Sequence, residues 1–199
     1  MIEPNELLNA YANGIFPMAD SRDDEDAKWY TSSRRGIIPI DNFHVSSNVR
    51  RIIRNKHYHI KFDYNFRQVM EACADRDSTW ISHEIIESYS RLHELGYAHS
   101  VSIYNKKWEL VGGQYGVSLG AAFFGESLFG WAKEASKVAL FWTHQALQKG
   151  GFELWDTQFW TEHLAQFGCI EIPAEEYEKR LRSALEKEAD FEPVETKIK

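Results

Sequence analysis

HSVSIYNKKWELVGGQYGVSLGAAFFGE, residues 99–126, is the stretch whose reading decides the fold. His99 to Tyr104 sets Val101 and Ile103 alternately with Ser100 and Ser102, the period of a strand with two unlike faces. Glu109 to Val117 and Ala121 to Glu126 read as two further strands. Asn105 to Lys107 forms the polar turn between the first pair, so the three make antiparallel hairpins. Working outward, Ser136 to Gln148 is a helix, apolar at Val138, Leu140, Phe141, Trp142 and Leu147 and closed by Gly150-Gly151. A strand from Phe152 to Phe159 follows it. Upstream, Asn65 is placed to cap a helix whose inward face is Phe66, Val69, Met70 and Cys73, with Gln68 completing a capping box. Glu84 to Leu95 repeats Ile85, Ile86, Tyr89 and Leu92 at helical spacing and stops at Gly96. After a short strand at Cys169 to Ile172, Glu175 to Leu185 is a last amphipathic helix, followed by a polar tail expected to fray. The pattern predicts an α+β fold with a central, mostly antiparallel sheet flanked by helices.

Before this block the texture differs. Leu7 to Met18 reads as a short helix ended by Gly14 and Pro17, Asp20 to Asp26 as an exposed acidic loop, and Trp29 to Ile40 as turn and strand. Residues 1–43 are therefore expected to form a small N-terminal lobe and 44–199 the main domain. At 199 residues, with 43% apolar and 14% aromatic residues, the chain has ample material for a core. No apolar run approaches the roughly 18 residues that cross a bilayer, and the first residues do not form a signal peptide. The expectation is a cytoplasmic protein with no membrane span. Cys73 and Cys169, the two cysteines, are too few for a disulfide framework or a cysteine zinc site and are expected reduced and buried.

The net charge is -7, yet Arg50, Arg51, Arg54, Lys56, Lys61 and Arg67 face a single acid, Asp63, between residues 50 and 67. By itself such a run is more often a solvated face than a nucleic-acid site. Phosphate loops, nucleophile elbows and paired metal-ligand histidines are absent from the sequence. What remains is Gly-Gly-Gln-Tyr-Gly-Val (112–117), Phe-Phe-Gly-Glu-Ser-Leu-Phe (123–129) and Trp-Asp-Thr-Gln (155–158). Glycines inside strands mark either bulges or the close approach of a ligand. Glu126 lies among Phe123, Phe124, Leu128 and Phe129, where a carboxylate needs a partner. Asp156 and Gln158, two apart on a strand, share a face, so Asp156 is positioned to hold Gln158.

These motifs occur in order with Tyr-Ala-Asn-Gly-Ile-Phe-Pro (11–17), Thr-Trp-Ile (79–81), Arg-Leu-His-Glu-Leu-Gly (91–96) and Ala-Ser-Lys-Val-Ala-Leu (135–140). From about Tyr11 to Pro173 the chain resembles the leucyl/phenylalanyl-tRNA-protein transferases. The resemblance implies a small N-terminal domain and a GNAT-like (acetyltransferase-like) domain. It implies an aminoacyl-tRNA, bound through its 3′ end and acceptor stem, as donor of Leu or Phe. It also implies a protein N-terminus, usually Arg or Lys, as acceptor, the product being marked for degradation. No cofactor or metal is implied, and the enzyme is expected to act as a monomer.

An aminoacyl ester is already activated, and with an α-amino pKa of about 7.7–8.0 a fraction of the attacking amine is neutral at pH 7. Orientation is therefore expected to outweigh base catalysis. Asp156 and Gln158 are the expected catalytic pair, Gln158 accepting a hydrogen bond from the amine while Asp156 fixes its amide. Glu126 is expected to bind substrate, and Trp80 and Trp29 either stack on the terminal adenine or pack in the core. Phe123 and Leu128 suit an apolar pocket for the donor side chain. Gln114 stands there in place of the usual methionine, and Thr143 and Trp155 occupy positions expected to be smaller or more apolar. Arg50, Arg51, Arg54 and Lys56 gain weight as the acceptor-stem contact. The alternatives kept open are the same reaction with acidic Asp or Glu acceptors or another donor, and a non-catalytic tRNA-binding adaptor. A coenzyme-A acetyltransferase is the weaker rival, because Gln148 to Glu153 fails as a pyrophosphate loop. Replacing Asp156 or Gln158 by Ala is expected to leave the fold intact and remove most transfer.

Overall fold

A computed structural model of the chain describes residues 1–24 and 26–195. Glu25, within the expected acidic loop, and residues 196–199, the end of the expected polar tail, lie outside the described residues. In chain order the N-terminal elements are α1 (Pro4–Ala12), β1 (Phe16–Met18), β2 (Lys28–Tyr30), β3 (Arg34–Ile37), α2 (Ser47–Arg54) and β4 (His59–Phe62). The middle of the chain forms α3 (Phe66–Ala74), α4 (His83–Glu94), β5 (Ala98–Tyr104), β6 (Leu110–Leu119) and β7 (Ala122–Gly130). The C-terminal elements are α5 (Ala135–Gly150), β8 (Leu154–Gln158), α6 (Glu162–Ala165), β9 (Ile170–Pro173) and α7 (Ala174–Leu185).

β5, β6 and β7 are the antiparallel meander that the 99–126 stretch predicts, with Val101 opposite Gln114 and Gln114 opposite Leu128. The turn between β5 and β6 is held by the side chain of Asn105, whose Oδ1 accepts from the Lys107 and Glu109 amides at 2.8 and 3.0 Å. Seven strands form the main sheet in the order β4-β5-β6-β7-β8-β3-β9. The β7–β8 pair is parallel and every other pair in this sheet is antiparallel. That exception follows from α5, since a helix between two neighbouring strands returns the chain to its starting end. Successive β7 residues then serve opposite layers. Phe123 packs with α2 and α5 on one face, while Phe124 packs with α1, α3, α4 and α7 on the other. Among the described residues no helix is long and apolar enough to cross a membrane, and both cysteines are free and buried.

Two local readings change. Asn65 takes a left-handed conformation (φ 53°), and its side chain caps no backbone amide. The capping box with Gln68 therefore does not form; Ser46 and Ser82 are the side-chain caps of α2 and α4. Residues 34–37, read with the N-terminal lobe, lie inside the main sheet between β8 and β9. β1 and β2 pair separately, Trp29 opposite Pro17.

The register between β6 and β7 slips once, because Tyr115 faces Ser127 while the next residue, Gly116, faces Gly125. Glu126 is thus the extra residue of a β-bulge, a device that re-aims one side chain. The bulge depends on Gly116, where a Cβ would sit 2.4 Å from the Phe124 carbonyl oxygen and 2.5 Å from the Phe123 ring. Overpacking of this kind typically costs about 1–3 kcal/mol. Gly116→Ala is expected to lower the melting temperature by roughly 4–10 °C, measurable by thermal denaturation followed by circular dichroism.

Candidate active site

The β7–β8 ladder runs from Ala122↔Leu154 to Phe124↔Asp156 and then stops, although β7 continues to Gly130. β8 turns instead toward β3, pairing Gln158 with Gly36. The two parallel strands therefore part beyond Phe124. The gap opens into a cavity of about 250 Å³ lined by Glu126, Ser127 and Leu128 from β7 and by Thr157, Gln158 and Phe159 from β8 and its extension. Phe16 and Met18 of β1, Arg76 and Trp80 of the α3–α4 connection, and Thr161, His163 and Leu164 around α6 complete its walls.

Glu126 is the carboxylate of this cavity. Its Oε1 accepts from the Tyr11 hydroxyl at 2.7 Å and from the Gln158 Nε2 at 3.2 Å. Oε2 has no partner among the described residues. The Tyr11 hydroxyl also meets that of Tyr89, giving a chain Tyr89–Tyr11–Glu126–Gln158 across α4, α1, β7 and β8. Burial among aromatic rings pushes the Glu126 carboxyl up to about 8, with the nearby Asp156 charge adding to the rise and the Tyr11 hydrogen bond and Arg35 opposing it. Burial likewise holds Tyr11 and Tyr89 as neutral phenols.

Asp156 does not face the cavity. It is fully buried, and both its oxygens are taken by Arg35: Nε at 2.9 and 3.2 Å, and Nη2 to Oδ2 at 2.7 Å. Tyr177 of α7 donates to the same Oδ2 at 2.8 Å. The expectation that Asp156 fixes the Gln158 amide is corrected, since its Oδ1 accepts from the Gln158 backbone N–H at 2.8 Å. That bond holds Gln158 at φ 57°, off the regular strand, so the two side chains part and the amide is held by Glu126 instead.

Of the other expected residues, Trp80 and Leu128 line the cavity and Trp29 does not, although its strand neighbours Phe16 and Met18 do. Gln114, Phe123, Thr143 and Trp155 are buried behind the wall and do not line this cavity, a correction to their reading as pocket residues. The Thr143 hydroxyl donates to Gln114 Oε1 at 3.1 Å. The bulky indole of Trp155 fills the space beneath Gly125, where a Cβ would lie 3.0 Å from its Nε1. Arg50, Arg51, Arg54 and Lys56 are exposed on and just after α2, and none has an acidic partner among the described residues. Arg67 leaves that patch, being paired with Glu71 and Glu87.

Arg35, Tyr11, Tyr177 and Arg76 escaped the sequence reading. Arg76 Nη2 donates to the Leu128 carbonyl at 2.6 Å, on the edge of β7 that β8 leaves bare. Arg35 Nη1 donates to the Gly14 carbonyl at 2.8 Å, and its guanidinium lies over the Phe16 and Tyr177 rings at 4.8 and 4.5 Å. The sequence signal was available for Tyr11, which stands first in its ordered motif; nothing in Ser-Arg-Arg-Gly (33–36) distinguishes the buried arginine from the exposed one.

A family profile described as leucyl/phenylalanyl-tRNA protein transferase matches residues 37–182, and its N-terminal domain profile matches residues 1–33. The chain is 50% identical over 192 residues to the leucyl/phenylalanyl-tRNA–protein transferase of Cereibacter sphaeroides, covering 96% of this chain and 89% of that relative. It is 48% identical over 197 residues to the protein of the same name from Maricaulis maris, covering 97% and 91%. The crystal structure of FemX shares the fold, with a TM-score of 0.55 at 11% identity, over 86% of this chain and 68% of that one. The GNAT-like architecture expected from the ordered motifs is the architecture found.

Removing the Asp156 carboxylate strands a buried guanidinium, which typically costs about 3–5 kcal/mol. Asp156→Ala is therefore expected to unfold at markedly lower urea than the parent, contrary to the intact fold anticipated from sequence, while Asp156→Leu with Arg35→Met regains most of the loss. Glu126 gives a separate signature. Its carboxyl keeps its proton in the folded chain while the unfolded one, with the ordinary value of 4.5, has lost it. The stability this contributes is full below about pH 4.5 and is lost as the pH rises through about 8. Glu126→Gln is expected to flatten that decline in melting temperature between those limits; an unchanged slope would remove the assignment.

Proposed function

Since the chain belongs to the leucyl/phenylalanyl-tRNA protein transferase family, we propose that it moves Leu or Phe from charged tRNA to the α-amine of a protein N-terminus, with the β7–β8 cavity as the site of transfer. The observation that carries the site is the pairing of Gln158 with Glu126 inside the gap between two diverging parallel strands. In the transfer a nitrogen–carbon bond forms, the carbon–oxygen bond to the ribose breaks, and one proton travels from nitrogen to the ribose oxygen. Glu126 relays that proton, its neutral carboxyl giving its own proton to the leaving ribose oxygen and taking the one released by nitrogen, because burial raises its proton affinity toward that of an α-amine. Gln158, its Nε2 anchored on Glu126, turns its side-chain carbonyl to the attacking amine. Asp156 is a positioning residue that sets the Gln158 backbone. Trp80 stacks on the terminal adenine, and Phe16, Met18, Leu128 and Leu164 receive the apolar donor side chain. Arg50, Arg51, Arg54 and Lys56 meet the acceptor stem.

For the acceptor, a basic Arg or Lys terminus is supported by the acidic stretch that begins at Asp20, since Ala19 beside it is hydrogen-bonded to the carbonyl of the cavity residue Trp80. Arg76 on the cavity wall favours the second reading, an acidic Asp or Glu terminus. The transfer marks its product for degradation in the cytoplasm. A single chain supplies Tyr11, Glu126 and Gln158, which supports action as a monomer. The division into an N-terminal unit and a GNAT-like domain is retained, with β3 counted in the latter.

Offering tRNAs charged with Leu, Phe, Met or Arg together with peptides beginning with Arg, Lys, Asp or Glu tests donor and acceptor at once. Product is expected from Leu and Phe with Arg and Lys. Glu126→Gln and Gln158→Ala are expected to lower kcat by about 10²–10⁴ while remaining folded. Full turnover in either would remove the cavity from the mechanism.

A further inference from the structure

A second cavity, about 380 Å³, lies beyond α2 at the β4 edge of the sheet. Lys56, His59, Lys61, Lys106 and Trp108 stand around it over an apolar floor, and no acidic side chain among the described residues lines it. Its aromatic wall is deliberately held. Asn105 closes the β5–β6 turn with its side chain and accepts the Trp108 amide on its carbonyl at 3.0 Å. This places Trp108 at φ 62°, a left-handed conformation that bulky side chains rarely adopt. The indole is 55% exposed rather than packed away, and His59 stacks parallel to it, ring centroids 4.2 Å apart. Lys61 Nζ stands 5.7 Å from the indole ring. Lys106 donates to the Lys56 carbonyl, which draws the two lysines to one rim. None of the three lysines has an acidic partner among the described residues.

An exposed aromatic stack framed by uncompensated cations is matched to a nucleobase with its flanking phosphates, whose π-face and charge answer the two features together. The cavity also continues the cationic surface of α2, since Lys56 follows Arg54 by two residues. We propose that it is a second RNA site, in which an unpaired base of the donor tRNA stacks on Trp108 while Lys56, Lys61 and Lys106 hold the adjoining phosphates. β4 and β7 are three strand spacings apart, about 14 Å, so this base is not the reacting terminal adenosine but lies elsewhere on the same molecule. The inference rests on the reading that charged tRNA is the donor.

The test pairs two donors. Uncharged tRNA transcript is titrated against the intact protein over a salt series, and transfer is measured separately from leucyl-adenosine, which carries only the reacting end. Trp108→Ala is expected to weaken tRNA binding roughly ten-fold, and Trp108→Phe to restore it. Lys61→Ala with Lys106→Ala is expected to reduce the slope of log K against log salt by roughly 1.5. Transfer from leucyl-adenosine stays at the wild-type rate in all of them. Unchanged tRNA affinity and salt slope would overturn the proposal, as would an equal loss with leucyl-adenosine, which would make the cluster a structural one. A wild-type protein inactive with both leucyl-adenosine and leucyl-tRNA would instead defeat the transferase reading.

Discussion

The buried contact between Arg35 and Asp156 is the constraint on which the rest of the site depends. A guanidinium and a carboxylate, each almost wholly withdrawn from water, are tolerable together because their fork geometry engages the Nε and Nη2 donors and both carboxylate oxygens. The remaining capacity is used by the Gly14 carbonyl and the Tyr177 hydroxyl. One ion pair thereby joins the turn after α1, strand β3, strand β8 and helix α7. Strand β8 has its position fixed from behind, and the residue at its end, Gln158, is set by the same carboxylate through its backbone amide.

With β8 held toward β3, β7 is left to run on alone beyond Phe124, and the cavity is the consequence of that divergence. The bulge completes it. Regular alternation would not give Glu126 its present aim; the extra residue opposite the Tyr115–Gly116 step directs the carboxylate to Tyr11 and Gln158. The same placement withdraws Glu126 from water and raises its proton affinity into the range of an α-amine, so geometry and titration have one cause. Asp156 and Glu126, two carboxylates close in space, are separated in role by environment: one is locked against a guanidinium, the other has an oxygen left without a partner among the described residues.

The division of labour also explains the cationic surface. Acid residues outnumber basic ones by 30 to 23, yet the basic residues on α2 and the β4 edge stand without acidic partners among the described residues while Arg67, further along the chain, is neutralised by two glutamates. Charge total says little about a nucleic-acid partner here. What decides is which cations the tertiary fold leaves uncompensated.

The amino-acid sequence determined the element types and the family. Period-two alternation in 99–126, helical spacing at Ile85, Ile86, Tyr89 and Leu92, and glycine punctuation are local properties, and local properties survive in a linear reading. The ordered motifs placed Glu126, Asp156 and Gln158 in one neighbourhood for the same reason, each being part of a short contiguous string. The sequence could not show which way each side chain is turned. A one-residue bulge at Glu126 and a left-handed Gln158 depend on register and on partners more than 30 residues away, so the apparent Asp156–Gln158 couple became two separate couples, Asp156 with Arg35 and Gln158 with Glu126. Gln114, Thr143 and Trp155 read as pocket residues because they stand at positions where the resemblance implies an apolar pocket, and only packing revealed the Trp155 indole beneath Gly125. Ser-Arg-Arg-Gly likewise gives two identical side chains opposite fates, one in solvent and one in the core, because strand pleating and the neighbouring β8 decide the face.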